Sequence, residues 1–160
     1  MSMKTVGLDV TDDAVRFVSL VKDNGGFHRV EVYAEQVLPA GVIESGFIKD
    51  EVALTKILTD FAKKYKIKYV NASLPEEKMY LFTTEMPYTT NSREIIQNIE
   101  SKLEENVPVP PGNALFTYAL MGRAPAGKIR LSVSVAPSKV VEAYLSAYEK
   151  SCIIPLSFFV

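Results

Sequence analysis

The stretch Lys4-Thr5-Val6-Gly7-Leu8-Asp9-Val10-Thr11-Asp12-Asp13-Ala14-Val15-Arg16-Phe17-Val18-Ser19-Leu20-Val21-Lys22 decides the fold. Lys4 to Val10 is short and mostly apolar, the reading of a buried strand. After an acidic turn, Ala14 to Lys22 sets Val15, Phe17, Ser19 and Val21 against Arg16, Val18 and Leu20, the period of two that puts alternate side chains on opposite faces of a sheet. Asp23-Asn24-Gly25-Gly26 is a hairpin turn, because Asn and Gly accept a positive φ at little cost. His28 to Leu38 follows as a third strand, with Val30, Val32 and Ala34 on one face and Arg29, Glu31, Tyr33 and Glu35 on the other. The chain therefore opens with an antiparallel meander.

Outward from the meander, Pro39 to Lys49 reads as a glycine-bearing loop leading into a helix from Asp50 to Tyr65. Asp50 is its N-cap, and Leu54, Ile57, Leu58, Phe61 and Tyr65 form an apolar stripe at helical spacing. Ile67 to Leu74 is a buried strand. Lys78 to Glu85 is another, closed by Pro87. Asn91 with Glu94 resembles a capping box for a helix over Ser92 to Asn106, whose apolar face is Ile95 or Ile96 with Ile99 and Leu103. Val107-Pro108-Val109-Pro110-Pro111-Gly112 stops it. Strands Ala114 to Met121 and Lys128 to Ala136 make a hairpin around Gly122 to Gly127. Ser138 caps a last helix with Val141, Tyr144, Leu145 and Tyr148 on its apolar face, and an apolar strand from Ile153 closes the chain.

The order βββαβ, then βαββα, then β describes a mixed α/β (α+β) domain carrying a small βαββ-type insert. The expected division is 1–77 with 137–160 for the parent unit and 78–136 for the insert. The apolar end, Ile153 to Val160, leaves two readings open: a buried strand that stops abruptly, or the seam of a longer chain.

Composition narrows the function classes. With 48% hydrophobic and 23% charged residues among 160, the chain has the apolar content of a folded domain and lacks the profile of a disordered one. Eighteen basic and nineteen acidic residues give a net charge of −1, without the clustered basic excess that binds nucleic acid. One Cys and one His exclude a disulfide framework and any multi-histidine metal centre. Asp9 interrupts what a signal peptide would need as its apolar core, and the uncharged final run, Ser151 to Val160, is far below the roughly 20 residues that span a bilayer. A cytoplasmic location is the default.

Few residues carry chemistry. Asp9, Thr11, Asp12 and Asp13 stand in a strand-turn-strand where a carboxylate can hold a cation that bridges to phosphate. The bland alternative is a polar β-turn, favoured by the crowded negative charge and the missing Gly and Ser. His28 reads as a hairpin-edge residue, Cys152 as a small buried hydrophobe, and Lys63, Lys64, Lys66 and Lys68 as a solvated helix end that complements the dipole. Val107-Pro108-Val109-Pro110 has two readings of equal weight: helix termination, or a rigid extended ledge beside a sheet edge that accepts an extended peptide.

Several segments together resemble the N-terminal part of the type IV pilus assembly PilM family, actin-like ATPase relatives of the cell-division protein FtsA. Val6-Gly7-Leu8-Asp9 is similar to the family's first phosphate strand. Leu38-Pro39-Ala40-Gly41-Val42-Ile43-Glu44-Ser45-Gly46-Phe47-Ile48-Lys49-Asp50 is similar to its LPxGxI loop, the most specific piece. Ser73-Leu74-Pro75 and Met86-Pro87 resemble signals flanking the insert, Glu104-Glu105-Asn106-Val107-Pro108-Val109-Pro110 resembles the family's helix end, and Val140-Val141-Glu142-Ala143-Tyr144-Leu145 its last helix before a central strand.

The resemblance implies an RNase H-like, actin-like subdomain interrupted by a small subdomain of the FtsA 1C kind. It implies a protein at the cytoplasmic face of the inner membrane that binds the N-terminal cytoplasmic tail of a PilN-type membrane protein. For that tail the proline ledge points to Leu38, Pro39, Val107, Pro108, Val109 and Pro110. The resemblance implies ATP and Mg in the full-length family, with Asp9, Thr11 and Asp12 as a vestigial phosphate loop. Here the sequence departs from the family: Thr11 and Asp12 replace its Gly and Ser, Arg16 replaces its Lys, and its late acidic position falls at Phe159. The second phosphate loop and adenosine pocket are absent, so the expectation is a docking module with no metal, cofactor or catalysis of its own. Self-association stays open. The alternatives are the N-terminal part of an ATP-binding ATPase, an FtsA-like division protein, or a type II secretion cytoplasmic domain.

Overall fold

The computed structural model describes residues 5–22 and 25–159. The expected starting residue Lys4, the turn residues Asp23 and Asn24, and the final Val160 lie outside that set. Contacts divide the chain into two units, one running to Glu77 and resuming at Val141, the other spanning Lys78–Val140. The second boundary falls a few residues beyond the expected 136/137. The strand that carries Pro137 pairs it with Ala114, and a helix begins at once at Ser138, so no linker separates the two elements.

The first unit is built on β1 (Thr5–Val10), β2 (Ala14–Lys22), β3 (His28–Val37), α1 (Glu51–Tyr65) and β6 (Tyr69–Ser73), with a two-strand ribbon of β4 (Ile43–Glu44) and β5 (Phe47–Ile48) between β3 and α1. Most of α3 (Ser138–Lys150) and β10 (Ile154–Phe159) complete it. Its five-stranded sheet has the order β10-β6-β1-β2-β3. The meander pairs antiparallel, and β6 and then β10 add in parallel on the far side of β1. An antiparallel triplet extended by two parallel crossovers is the RNase H-like arrangement.

The alternation read in β2 is realised: Val15, Phe17 and Ser19 are buried while Arg16, Val18 and Leu20 face out. Phe17 meets Phe61 of α1 edge-on at 5.4 Å and Tyr65 at 5.0 Å. Val6, Leu8, Val70 and Ala72 extend this core along the sheet. Asp50 caps α1 by accepting from the amide of Ala53 at 2.9 Å. Lys66 ends the helix in the left-handed region at φ 56°. On α3 the buried stripe is Val140, Tyr144, Ala147 and Tyr148, with Val141 and Leu145 only half-buried, a rotation from the expected face.

Two further expectations are corrected. The segment read as a plain loop holds the β4–β5 ribbon, pairing Ile43 with Ile48 and Glu44 with Phe47. Cys152 is exposed, not buried. It follows α3 with its amide bonded to the Glu149 carbonyl at 3.0 Å and its backbone at φ 59°. That left-handed reversal leaves its neighbours Ser151 and Ile153 in the core, and the thiol outside.

The second unit contains β7 (Tyr80–Pro87), α2 (Ser92–Asn106), β8 (Ala114–Ala124) and β9 (Lys128–Pro137), its sheet ordered β7-β9-β8 and antiparallel throughout. Ile99 and Leu103 of α2 bury against Met86, Ile129, Leu131, Val133 and Val135, with Ile95 packed alongside. The helical period thus selects Ile95, and Ile96 is turned toward solvent. Asn91 caps the helix by accepting from Arg93 N at 3.1 Å, and its own amide group donates to Glu94 at 3.2 Å.

Candidate functional site

The β1–β2 turn brings Asp9, Thr11 and Asp12 into one short stretch, and every one of the three has an internal partner. β1 and β6 run in parallel register with Leu8 opposite Ala72, which sets Asp9 beside Ser73. Ser73 Oγ donates to Asp9 Oδ1 at 2.5 Å. Arg16, opposite Asp9 in the antiparallel pair, lies 3.7 Å from its other oxygen and donates to Glu35 at 2.5 Å. The hydrogen bond to Glu35 raises the Arg16 pKa, with Asp9 and Asp13 adding to it. The cation nearest the turn is therefore already shared among its own strands' carboxylates.

Thr11 closes the turn upon itself. Its amide donates to the Ala14 carbonyl at 3.0 Å, and its hydroxyl oxygen accepts from Ala14 N at 3.3 Å. Asp12 reaches the β4–β5 connection, where its two carboxylate oxygens accept from Ser45 N at 2.6 Å and Gly46 N at 2.9 Å. Ser45 and Gly46 both have left-handed backbone, at φ 49° and 74°, which points successive amides the same way. The Gly46 carbonyl in turn accepts from the buried hydroxyl of Tyr144 at 3.2 Å. Burial, chiefly, raises the Tyr144 pKa, so this phenol stays a neutral donor.

A phosphate site at a turn needs amides without partners and a local field that favours anions. Here the Thr11 and Ala14 amides are bonded within the turn, and the carboxylates of Asp9, Asp12 and Asp13 crowd the two central amides that are left with a field that repels anions. The turn does not fit Mg-ATP. Among the described residues no cluster of three or more His, Cys, Asp or Glu side chains is placed to hold a metal ion. Beside the turn, on the sheet face away from α1, a groove of about 650 Å³ runs over Gly7, with Arg16, Tyr33, Ser73 and Phe159 around it.

The residues expected to meet a partner tail separate by unit and by burial. Leu38 and Pro39 belong to the first. Leu38 is buried, its amide bonded to the Asp13 carbonyl at 2.7 Å, and Pro39 is exposed. In the second unit Val107 is a core residue, Val109 is packed against the core, and Pro108 and Pro110 are exposed. Leu38 and Val107 thus act as anchors under any surface, while Pro39, Pro108 and Pro110, with the half-buried Val109, present side chains. Pro110, at φ −56° and ψ 139°, is in the polyproline II region, and a single 3-10 turn over Pro111–Asn113 leads from it to the edge strand β8.

Sequence reading missed Ser73, Ser45, Gly46 and Tyr144 as partners of the turn and of the ribbon it holds. These contacts join positions 33 to 98 residues apart, so no local spacing announces them. Ser73 and the Ser45-Gly46 pair did stand inside the quoted resemblance segments, which was the available signal.

A meander-led sheet with two parallel crossovers, interrupted after its fourth long strand by a three-stranded unit with one covering helix, is an actin-like α/β fold. The chain belongs to the family of type IV pilus assembly protein PilM, whose family model matches residues 7–153. Among solved structures it is similar to a chain of a PilM–PilN type IV pilus biogenesis complex, with 18% identity and a TM-score of 0.86 over 99% of this chain and 47% of that one. It is also similar to the cytoplasmic domain of EpsL, an inner-membrane component of the type II secretion system of Vibrio cholerae, with 12% identity and a TM-score of 0.62 over 97% of this chain and 56% of that one. The chain thus spans about half the length of each structure. Comparison with curated proteins returned no match. No helix among the described residues is long and apolar enough to cross a membrane.

Proposed function

We propose that this chain is a docking module of a type IV pilus machine that receives the N-terminal cytoplasmic tail of a PilN-type inner-membrane protein, at the cytoplasmic face of that membrane. The observation that carries the reading is the family match across residues 7–153. The fold likeness to a protein solved in a PilM–PilN complex supports it. In the second unit, the tail is assigned to the surface made by Pro108, Val109 and Pro110 and the outer edge of β8. The chain bends at Pro108 and Val109 and is in the polyproline II region at Pro110, and prolines restrict that segment before any partner arrives, which lowers the ordering cost of binding. An edge strand offers a row of backbone donors and acceptors to an extended peptide. The internally bonded first turn supports a reading of work by docking, without nucleotide turnover in this chain.

Isothermal calorimetry of the 160-residue chain with a synthetic peptide of the PilN-type tail tests the reading. A saturable one-to-one isotherm in the micromolar range is expected, lost when the peptide sequence is scrambled. Absence of heat with the native tail, or equal binding of the scrambled one, would overturn it. The EpsL likeness favours one second reading, a secretion-system counterpart of the same docking role. Binding of a tail from a secretion inner-membrane protein in place of the pilus tail would select it.

A further inference from the structure

We infer that the β1–β2 turn of this chain is a latch holding the β4–β5 ribbon and not a phosphate cradle, with the Asp12 carboxylate occupying the paired amides of Ser45 and Gly46. These consecutive amides form a nest, aligned by left-handed backbone at φ 49° and 74°. Two aligned amides of this kind bind an anion. The anion present is this chain's own Asp12, with one oxygen on each amide at 2.6 and 2.9 Å. A carboxylate bridging two backbone donors makes charge-assisted bonds, stronger than neutral ones.

The rest of the turn is arranged for the same purpose. Thr11 bonds its amide and hydroxyl to Ala14, which fixes the direction in which Asp12 leaves the turn. The Asp13 carbonyl receives the amide of Leu38, so the start of the segment that carries the ribbon is tied to the same turn. Tyr144 grips the Gly46 carbonyl from α3. The ribbon is therefore clamped on its amide side by one element and on its carbonyl side by another. A phosphate at the Ser45–Gly46 amides would have to displace a covalently tethered carboxylate, and one entering the turn would sit beside the carboxylates of Asp9, Asp12 and Asp13. Tethering gives Asp12 a high effective concentration at the nest.

The test is amide hydrogen exchange by NMR on the full chain with Asp12→Ala, Asp12→Asn and, as a control on the exposed neighbour, Asp13→Asn. Asp12→Ala is expected to speed exchange at Ser45 and Gly46 by about tenfold or more, the loss of a hydrogen bond to a charged group. Asp12→Asn, which keeps one acceptor, produces a smaller change at the same two amides and serves if the alanine variant does not fold. Asp13→Asn leaves both amides as they are. In the wild-type chain, millimolar Mg-ATP or inorganic phosphate leaves the amides of Thr11 to Ala14 unshifted. Unchanged exchange at Ser45 and Gly46 in both Asp12 variants would overturn the latch. Saturable phosphate-dependent shifts over Thr11–Ala14 in the wild type would overturn it equally.

Discussion

Tyr144 Oη donates a hydrogen bond to the carbonyl of Gly46 at 3.2 Å, joining the middle of α3 to the tip of the β4–β5 ribbon across 98 residues of chain. Both residues are buried, so the carbonyl has no water to turn to if the hydroxyl is removed. Tyr144→Phe keeps the ring and leaves that acceptor unsatisfied. The expected cost is about 1–3 kcal/mol of stability, read by urea denaturation, with the loss of exchange protection concentrated near Gly46.

The same phenol and its neighbour Tyr148 predict an alkaline limit. Burial, first, raises both pKa values above the ordinary 10.0. A raised folded value means that the unfolded chain loses its proton first, so the contribution is complete below about pH 10 and falls as pH climbs beyond it. The decline in stability between about pH 9 and about pH 11 should be shallower in Tyr144→Phe than in the wild type.

At the acid end Glu51 is the marker. Its hydrogen bond from Lys150 at 2.7 Å, then that from Ser146 at 2.9 Å, hold its pKa below the ordinary 4.5. A depressed folded value gives stability that is complete above the ordinary Glu value and is lost as pH falls through the folded one. Glu51→Gln should therefore lower stability slightly at neutral pH and flatten the acid decline below about pH 5. The pair is exposed, so high salt should shrink the difference. A difference that grows with salt would contradict the assignment.

In the second unit, Leu103→Ala removes a side chain that is 1% exposed at the centre of the α2–sheet core. A loss of about 2–5 kcal/mol is expected. Ile96→Ala, on the same helix but facing solvent, should change stability by about 0.5 kcal/mol or less. Equal effects would mean that the helix packs on another face.

What was legible in the sequence was local. Alternation in β2, the Asp50 and Asn91 caps, and the Ile95–Ile99–Leu103 spacing each depend on residues within a turn or two, and each element formed where its residues placed it. The ribbon at Ile43–Ile48 was not legible, because two-residue strands carry no period. The solvent-facing Cys152 depends on a left-handed residue that is neither Gly nor Asn. At the candidate site, the residue types of Asp9, Thr11 and Asp12 were visible, but their use was not. Whether a carboxylate at a turn takes a cation, a phosphate or its own backbone depends on what the fold brings to it, here Ser73, Ser45 and Gly46. Leu38 and Val107 show the same limit: apolar residues in loops read as surface ledges until packing turns them inward.

The docking account is tested most directly by ¹H–¹⁵N NMR of the full chain titrated with the PilN-type tail peptide. The account predicts saturable shifts at Val107, Val109, Asn113 and the amides of β8, with Thr11–Ala14 unmoved. Saturable shifts centred on Thr11–Ala14, or a spectrum unchanged at peptide excess, would contradict it.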